Sequence, residues 1–363
     1  MHSVKWETSL RIMLNSCILN GTNWSYFDLG AGLSMPGSSI DWYFITEQIS
    51  QRKFAPIISN QIIGSTLFGS HDTVRAWAEK IQYPLADSDN LTRVAQFLSA
   101  TIQDSARAKS GYLQFLKQSL LDLARGWARA DQAYLDQVKG ELRGLTLSQL
   151  AVERLGYPDF GEEMDNPLRI LAALDIPIYL TTSYHHLMEA ALKAAGKTPR
   201  TQLYCWREGL EDNIASEYRT DPNFEPGVQT PLVYHLHGID DFPDSLVLTE
   251  DDFLEFLVNV TQDFNTDAIP SAVRNALASS LLLLLGYDLH TLDLRVLLQG
   301  LIRGKPLRPR SFAIQLNPQA DGVKDTVQFQ EYLQKYFGQV RFDVYWGDPQ
   351  SFMKTLWDEW EAS

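Results

Sequence analysis

Two histidines two residues apart, His235 and His237, follow an apolar run and stand directly before Gly238. An imidazole changes its charge near neutral pH, so a histidine in a cleft can act as a general acid or base. Side chains two apart on a strand share a face, and open α/β sheets bind ligands outside the carboxyl ends of their strands. The pair therefore predicts a ligand site on one side of this strand end. A pair of hydrogen-bonded structural histidines is the alternative that these two residues leave open.

Other apolar runs also end in small or polar residues, at 30–34, 181–186, 286–288 and 347–348. The first of these segments contains the turn Gly30-Ala31-Gly32. Glycines after a strand let backbone N–H groups approach a pyrophosphate. The full dinucleotide fingerprint is absent because Met35 occupies the place of its third glycine, so a tight turn without a ligand remains an alternative. Together the segments predict a crevice lined by backbone amides and one or two imidazoles.

The elements that would position these segments alternate between strand and helix. Apolar runs of strand length lie at 24–29, 176–181, 231–234, 246–248, 281–285, 312–316 and 340–346. Helical spacing of apolar residues occurs at 41–58 and 72–156, and helices are predicted at 187–195, 250–260, 270–278, 291–302 and 325–337. Thr249 is predicted to cap the helix at 250, with Asp252 at its third position.

This order is typical of a Rossmann-like, doubly wound α/β fold with a mostly parallel sheet of about six strands. We expect a single domain over residues 1–363. Its nucleotide-binding core would comprise residues 24–60 and 166–363, and residues 72–156 would form a helical insertion lobe.

Composition narrows the function classes. The formal net charge of −14 over 363 residues repels phosphate backbones and disfavours a nucleic-acid partner. Cys17 and Cys205 are too few for a four-cysteine zinc site, although they could pair in one disulfide. The N-terminus does not resemble a secretory signal, and the apolar run at 281–285 is too short to span a bilayer. We expect a soluble cytoplasmic protein that binds a nucleotide without a Walker lysine, a metal or a membrane.

The ordered segments GAGLS, TTSYHHLMEAAL, VYHLHG, LLLLGYDL and YWGD resemble the bacterial sirtuin-like domains of the NAD-hydrolase branch, over roughly residues 26–360. The resemblance implies NAD as the ligand, cleavage of its nicotinamide–ribose bond, and a role as an effector in bacterial antiphage defence. It also implies a homo-oligomer and a regulatory protein partner. The zinc ribbon of sirtuin deacylases is missing, which argues against protein deacylation.

The resemblance also assigns roles to residues. His237 would be the catalytic histidine, with His235 and Tyr184 as second choices. The pyrophosphate would be received by Gly30, Ala31, Gly32 and Ser34. The remaining nucleotide contacts would come from Thr182, Tyr184, His185, Gly286, Tyr287, Gly347 and Asp348.

Two positions depart from the family pattern. Ser183 replaces the asparagine that contacts the nicotinamide-side ribose and orders water, and it would have to hold that catalytic water. His185 replaces the aspartate that recognises the nicotinamide amide. A serine can hold a water but reaches less far than an asparagine. Two other functions therefore stay open, a catalytically weak module that binds NAD or ADP-ribose as a sensor or scaffold, and an interaction domain without a ligand. His185 and His186 would lie at a helix N-terminus, which favours their neutral forms.

Overall fold

Seven parallel strands pair into one sheet within the part of the chain that the computed structural model describes. The described residues are 40–62, 67–68, 70–161, 163–263, 266, 268–287, 289, 292–302, 311–315 and 324–363. In chain order the strands are β1 Phe54–Ile58, β2 Ile178–Thr181, β3 Arg200–Leu203, β4 Leu232–His235, β5 Leu281–Leu285, β6 Ser311–Gln315 and β7 Phe342–Trp346. Their order across the sheet is β3-β4-β2-β1-β5-β6-β7.

The strand order reverses at β1. This strand pairs with β2 on one side, where Ile58 faces Thr181, and with β5 on the other, where Ile58 faces Leu285. Such a switch point opens a crevice beyond the carboxyl ends of the strands, where doubly wound folds bind their ligands. We therefore expect the residues that follow β1, β2 and β5 to line a ligand site.

Helices cover both faces of the sheet. They are α1 Trp42–Ser50, α2 His71–Lys80, α3 Leu91–Ile102, α4 Ser105–Arg125, α5 Gln132–Glu141, α6 Pro167–Ala173, α7 Leu187–Ala194, α8 Glu250–Asp263, α9 Ser271–Ser279, α10 Leu292–Leu297, α11 Thr326–Gly338 and α12 Pro349–Ala362. Short π-helical segments span Gln149–Arg154 and Leu298–Ile302, and 3₁₀ turns span Glu211–Asn213, Ser216–Tyr218 and Pro243–Ser245. Two apolar cores result, one containing Phe54 and Ile58 and the other containing Ala55 and Ile57. This alternation along β1 is what a strand buried on both faces produces.

The α/β fold with a parallel sheet is confirmed, but two predicted elements are wrong. Phe54 and Ile57, which continue the helical spacing of α1, belong to β1. Arg52 ends the helix with a left-handed φ of 58°, and all five residues of β1 are buried. The run at 246–248 is buried but forms no strand, because Val247 N–H donates to the carbonyl of His237 and Leu248 N–H donates to the carboxylate of Asp252. Those amides are therefore not available to a sheet ladder.

The strand β3 was not predicted, because Arg200, Thr201 and Gln202 give it no apolar run. It lies at the edge of the described sheet, where polar side chains are tolerated. The predicted strand at 24–29 lies outside the described residues. The cap on α8 is confirmed, since Asp252 N–H donates to Thr249 Oγ1 at 3.1 Å and Thr249 N–H donates to Asp252 Oδ2 at 2.9 Å.

Residues 70–156 are described throughout and contain α2 to α5 and a π-helical segment but no strand. Their helical character matches the sequence, while their role as an insertion lobe stays a prediction. Among the described helices, none is both long enough and apolar enough to cross a bilayer.

Candidate functional site

The ends of β1, β2 and β5 are tied together by hydrogen bonds. Thr182 N–H donates to the carbonyl oxygen of Ile58 at 2.8 Å, and the hydroxyl of Thr181 donates to the same oxygen at 3.1 Å. The hydroxyl oxygens of Thr182 and Tyr287 lie 2.8 Å apart. These contacts place the polar residues that follow β2 beside the switch point of the sheet.

Gly286 lets the chain after β1 approach the end of β5. Its φ is 74°, and a Cβ atom there would lie 2.6 Å from the backbone nitrogen of Ile62 and 2.8 Å from Ser59 Oγ. The hydroxyl of Ser59 donates to the carbonyl oxygen of Gly286. A side chain at this position would therefore displace the residues 59–62, which directly follow the central strand.

Buried polar atoms without a hydrogen-bond partner gather at the end of β2. The hydroxyl of Ser183 and both ring nitrogens of His185 have no partner among the described residues. Burial, with a smaller contribution from nearby His235, lowers the pKa of His185 to about 3, so this ring is neutral. The ring of His185 lies 5.0 Å from that of Phe68 and 6.0 Å from that of Tyr184.

His237 stands beyond the end of β4 against two aromatic rings of α8. Its ring meets Phe253 and Phe256 edge-on, at centroid distances of 5.3 Å and 4.8 Å. Burial lowers the pKa of His237 to about 3. Its Nε2 atom is buried and lacks a partner within the described part of the chain. His237 therefore offers an unengaged nitrogen lone pair or N–H group.

His235 is engaged on both sides of its ring. Its Nδ1 lies 2.9 Å from the carbonyl oxygen of Ser183, and its Nε2 lies 2.8 Å from Glu189 Oε1. His235 and His237 thus contact different helices, α7 and α8, whose apolar side chains belong to opposite cores. The prediction that both rings project from one side is wrong, because β4 ends at His235 and strand alternation stops there. The contacts of His235 therefore fit the alternative prediction, a hydrogen-bonded structural histidine.

His186 also differs from its prediction. It precedes α7, but its Nε2 lies 2.6 Å from Asp241 Oδ2 and its Nδ1 lies 3.2 Å from Glu189 Oε1. Burial opposes a charge on the ring, but the carboxylates of Glu189 and Asp241 outweigh that effect and raise its pKa to about 11. The expected neutral form is therefore wrong for His186, because side-chain carboxylates outweigh the helix terminus.

The other predicted contacts fall into three groups. Thr182, Tyr184, Gly286 and Tyr287 surround the switch point; the hydroxyl of Tyr184 lies 3.3 Å from that of Tyr112 in α4. Gly347 and Asp348 follow β7, which is separated from β5 by β6, and Asp348 caps α12 by accepting from Ser351 N–H at 2.8 Å. Gly30, Ala31, Gly32 and Ser34 lie outside the described residues.

Sequence reasoning missed the segment 59–62, although it follows the central strand. The tetrad Phe54-Ala55-Pro56-Ile57 contains a proline, which is disfavoured inside a sheet and hides a strand. Five consecutive apolar residues at 54–58, with β-branched Ile57 and Ile58, were the sequence signal that could have revealed it. Glu189, which joins His186 and His235, was also missed because its partners are up to 46 residues distant.

Two comparisons with known proteins bear on this site. Residues 177–340 match the family model of the SIR2-like domain. The chain is also 32% identical over 125 residues to the NAD(+) hydrolase ThsA of Enterococcus faecium, a match that covers 34% of this chain and 22% of the relative. The chain thus spans less than two thirds of that relative. The family match includes β2 to β6, so Ser183, His185, His237 and Gly286 all lie in the part of the chain that is similar to a SIR2-like domain.

Proposed function

We propose that the crevice at the end of β1 binds NAD+ and cleaves its nicotinamide–ribose bond, which yields nicotinamide and ADP-ribose. One observation carries this proposal. The hydroxyl of Ser183, both nitrogens of His185 and Nε2 of His237 are buried without partners among the described residues. Leaving such groups unpaired costs free energy, and a polar ligand that pairs with them removes the cost.

Ser183, His185 and His237 follow β2 or β4, whose carboxyl ends lie at the same edge of the parallel sheet. β2 and β4 are neighbours, with Thr181 facing His235, so the residues that follow them continue side by side beyond the sheet. In the reaction the C1′–N1 bond breaks and its electron pair leaves with nicotinamide. A water then adds to the cationic ribose carbon and loses one proton. We assign the acceptance of that proton to Nε2 of His237, because a pKa of about 3 keeps the ring neutral and this nitrogen has no partner among the described residues.

The remaining roles follow from the sirtuin-like character of the domain. We assign the ordering of the attacking water to Ser183 and a contact with the nicotinamide carboxamide to His185. Thr182, Tyr184 and Tyr287 line the same strand ends. We add the segment 59–62 to the predicted phosphate contacts, because it follows the central strand at the switch point and lies directly against Gly286.

An NAD-consuming enzyme must be restrained in the cell, so we propose a cytoplasmic antiphage effector that is controlled by a protein partner or by homo-oligomer formation. The helical segment 72–156 is suited to transmit such control. Lys109 of α4 forms a buried ion pair of 2.9 Å with Asp252 of α8. The same helix α8 supplies Phe253 and Phe256, which hold the ring of His237.

A second function is favoured by Ser183 and His185 themselves. A serine hydroxyl reaches less far than the amide of the family's asparagine, and a neutral imidazole replaces a carboxylate. These replacements favour a module that binds NAD or ADP-ribose with little turnover, as a sensor or scaffold.

The test incubates the full-length protein with NAD+ and quantifies nicotinamide and ADP-ribose by chromatography. Calorimetry with ADP-ribose measures binding in parallel. We expect release by the wild type and by His71→Gln, whose ring is partly exposed, and a loss of about 100-fold or more in His237→Gln with ADP-ribose binding retained. Binding without release would establish the sensor function. Neither binding nor release would reject both functions in favour of an interaction domain.

A further inference from the structure

We propose that His186, Glu189 and His235 form a binding site for Zn²⁺ behind the crevice. From the sequence we expect no metal, and the spacing of these three residues matches no known metal-binding motif. The proposal concerns metal binding alone, and it stands or falls independently of NAD cleavage.

The three side chains present donor atoms at coordination spacing. Glu189 Oε1 lies 2.8 Å from His235 Nε2 and 3.2 Å from His186 Nδ1, and all donor atoms lie within 4.8 Å of one another. In a tetrahedral zinc site with bonds of about 2.0–2.1 Å, donor atoms are roughly 3.3 Å apart. Two imidazoles and one carboxylate are a common ligand set for zinc.

The far side of each imidazole ring is already held by a hydrogen-bond partner. Nδ1 of His235 faces the carbonyl oxygen of Ser183 at 2.9 Å, and Nε2 of His186 faces Asp241 Oδ2 at 2.6 Å. The hydroxyl of Thr201 donates at 3.0 Å to Glu189 Oε1, the oxygen that also faces both rings, and so fixes the position of this donor atom. Metal-binding histidines characteristically donate their second N–H to a carbonyl or carboxylate, which orients the ring and selects the nitrogen that faces the metal.

The hydrogen-bond partners of His186 and His235 are compatible with a bound cation. All four ring nitrogens of His186 and His235 face oxygens that only accept, so each contact needs either a proton or a metal ion. A Zn²⁺ ion would replace the two protons that face Glu189 and leave the two outer N–H groups in place. Its charge would balance the carboxylates of Glu189 and Asp241.

Glu189 provides a second, independent observation. Its residue is 3% exposed, yet its Oε2 atom has no hydrogen-bond partner in the described part of the chain. An unpaired buried carboxylate oxygen is costly, and an ion bound by both oxygens of Glu189 would give Oε2 a partner. The neighbouring group of His186, Asp240 and Asp241 is less suitable, because both carboxylate oxygens of Asp240 already accept from Ser148.

An ion can reach the site from the surface. The side chains of His186 and Asp241 are 19% and 25% exposed, whereas those of His235 and Glu189 are almost fully buried. The ion would enter beside His186. Once bound, it would immobilise His235 and, through the Nδ1 contact, the backbone of Ser183.

The test uses the tag-free full chain, stripped of metal with a chelator and passed through a desalting column. Zn²⁺ is added alone, and bound metal is counted by mass spectrometry after gel filtration. Co²⁺ is added to a second sample as an optical probe. We expect one ion per chain and the visible absorption of low-coordinate Co²⁺ with nitrogen ligands. A wild type that retains no Zn²⁺ and shows only the spectrum of hydrated Co²⁺ overturns the proposal, and the ring nitrogens then hold protons only.

Variants distinguish this site from adventitious surface binding. His186→Gln changes a ligand that is partly exposed, so the fold should survive; we expect its Zn²⁺ affinity to fall at least about tenfold. His71→Gln is the control, because its ring is also partly exposed and lies 3.7 Å from Asp89, its ion-pair partner within the described residues, and it should bind one ion as the wild type does. Equal binding by His186→Gln and wild type would reject the assigned ligands. If a variant fails to fold, the Co²⁺ spectrum of the wild type still shows whether the metal has nitrogen ligands.

Discussion

The hydroxyl oxygen of Thr182 lies 2.8 Å from the phenol oxygen of Tyr287, which joins the ends of β2 and β5 across β1. Both groups are buried, so the loss of either leaves the other without this contact. We expect Thr182→Val to lower the free energy of unfolding by about 1–3 kcal/mol, and Tyr287→Phe to lower it by a similar amount. Urea denaturation of both single variants and the double variant measures the coupling. If the double variant loses as much free energy of unfolding as the two single variants added together, the two hydroxyls do not interact.

Gly286 should tolerate no side chain. In Gly286→Ala the Cβ atom would lie 2.6 Å from the backbone nitrogen of Ile62, and the residue would keep a φ of 74°. The strained φ and the overpacking together should cost about 2–5 kcal/mol.

Gly111→Ala is the matched control for Gly286→Ala. Gly111 lies inside α4, and nothing would lie within 4 Å of its new Cβ atom. This substitution should stabilise the protein by about 0.5–1 kcal/mol, because alanine favours a helix. Thermal denaturation compares the two variants, and equal melting temperatures would contradict the close approach at Gly286.

Ser183 should matter for ligand chemistry and little for stability. Its hydroxyl has no partner among the described residues, so Ser183→Ala should change the free energy of unfolding by less than about 0.5 kcal/mol. NAD turnover should fall about tenfold or more, since the hydroxyl is assigned to water or ribose. Ser245→Ala is the stability control, because Ser245 Oγ accepts from Ile239 N–H at 3.0 Å and donates to the carbonyl of Phe242 at 2.6 Å. A large loss of stability in Ser183→Ala would instead indicate a structural role.

Lys109 and Asp252 form an ion pair with side chains that are 1% and 7% exposed. Lys109→Met would leave the carboxylate of Asp252 buried without its cation, at a cost of about 3–5 kcal/mol. Lys335→Met removes the exposed partner of Glu331 and should cost less than about 1 kcal/mol. Chemical denaturation measures the free energy of unfolding of both variants. Similar losses in the two variants would mean that water reaches the ion pair of Lys109 and Asp252.

Cys205 should react slowly with thiol reagents near neutral pH. Burial, with a smaller contribution from Glu211, raises the pKa of its thiol to about 11. At pH 8 only about one molecule in a thousand would then carry the reactive thiolate, and the rate should rise about tenfold per pH unit up to about pH 11. Iodoacetamide labelling followed by peptide mass spectrometry separates Cys205 from Cys17. A rate at Cys205 that levels off near pH 9 would contradict the raised pKa.

Local patterns were sufficient for much of the fold. The uninterrupted leucines of β5 predicted a strand buried on both faces, and Thr249 with Asp252 predicted the start of α8. Such features depend on contacts between residues a few positions apart, which a sequence displays directly. The match of the SIR2-like family model to residues 177–340 likewise agrees with the resemblance read from short ordered motifs.

The sequence by itself thus determined the class of the fold and pointed to the two histidines before Gly238 as candidate site residues, because hydrophobic period and motif order are local properties. Only the tertiary structure decided which histidine is engaged. His235 meets Glu189 and Ser183, which are 46 and 52 residues away, whereas His237 rests against α8 with an unpartnered nitrogen within the described chain. The same holds for β1, whose place at the centre follows from its pairing with β2 and β5, more than 100 residues along the chain. Burial and hydrogen bonding between distant segments set these properties, and no local spacing encodes them.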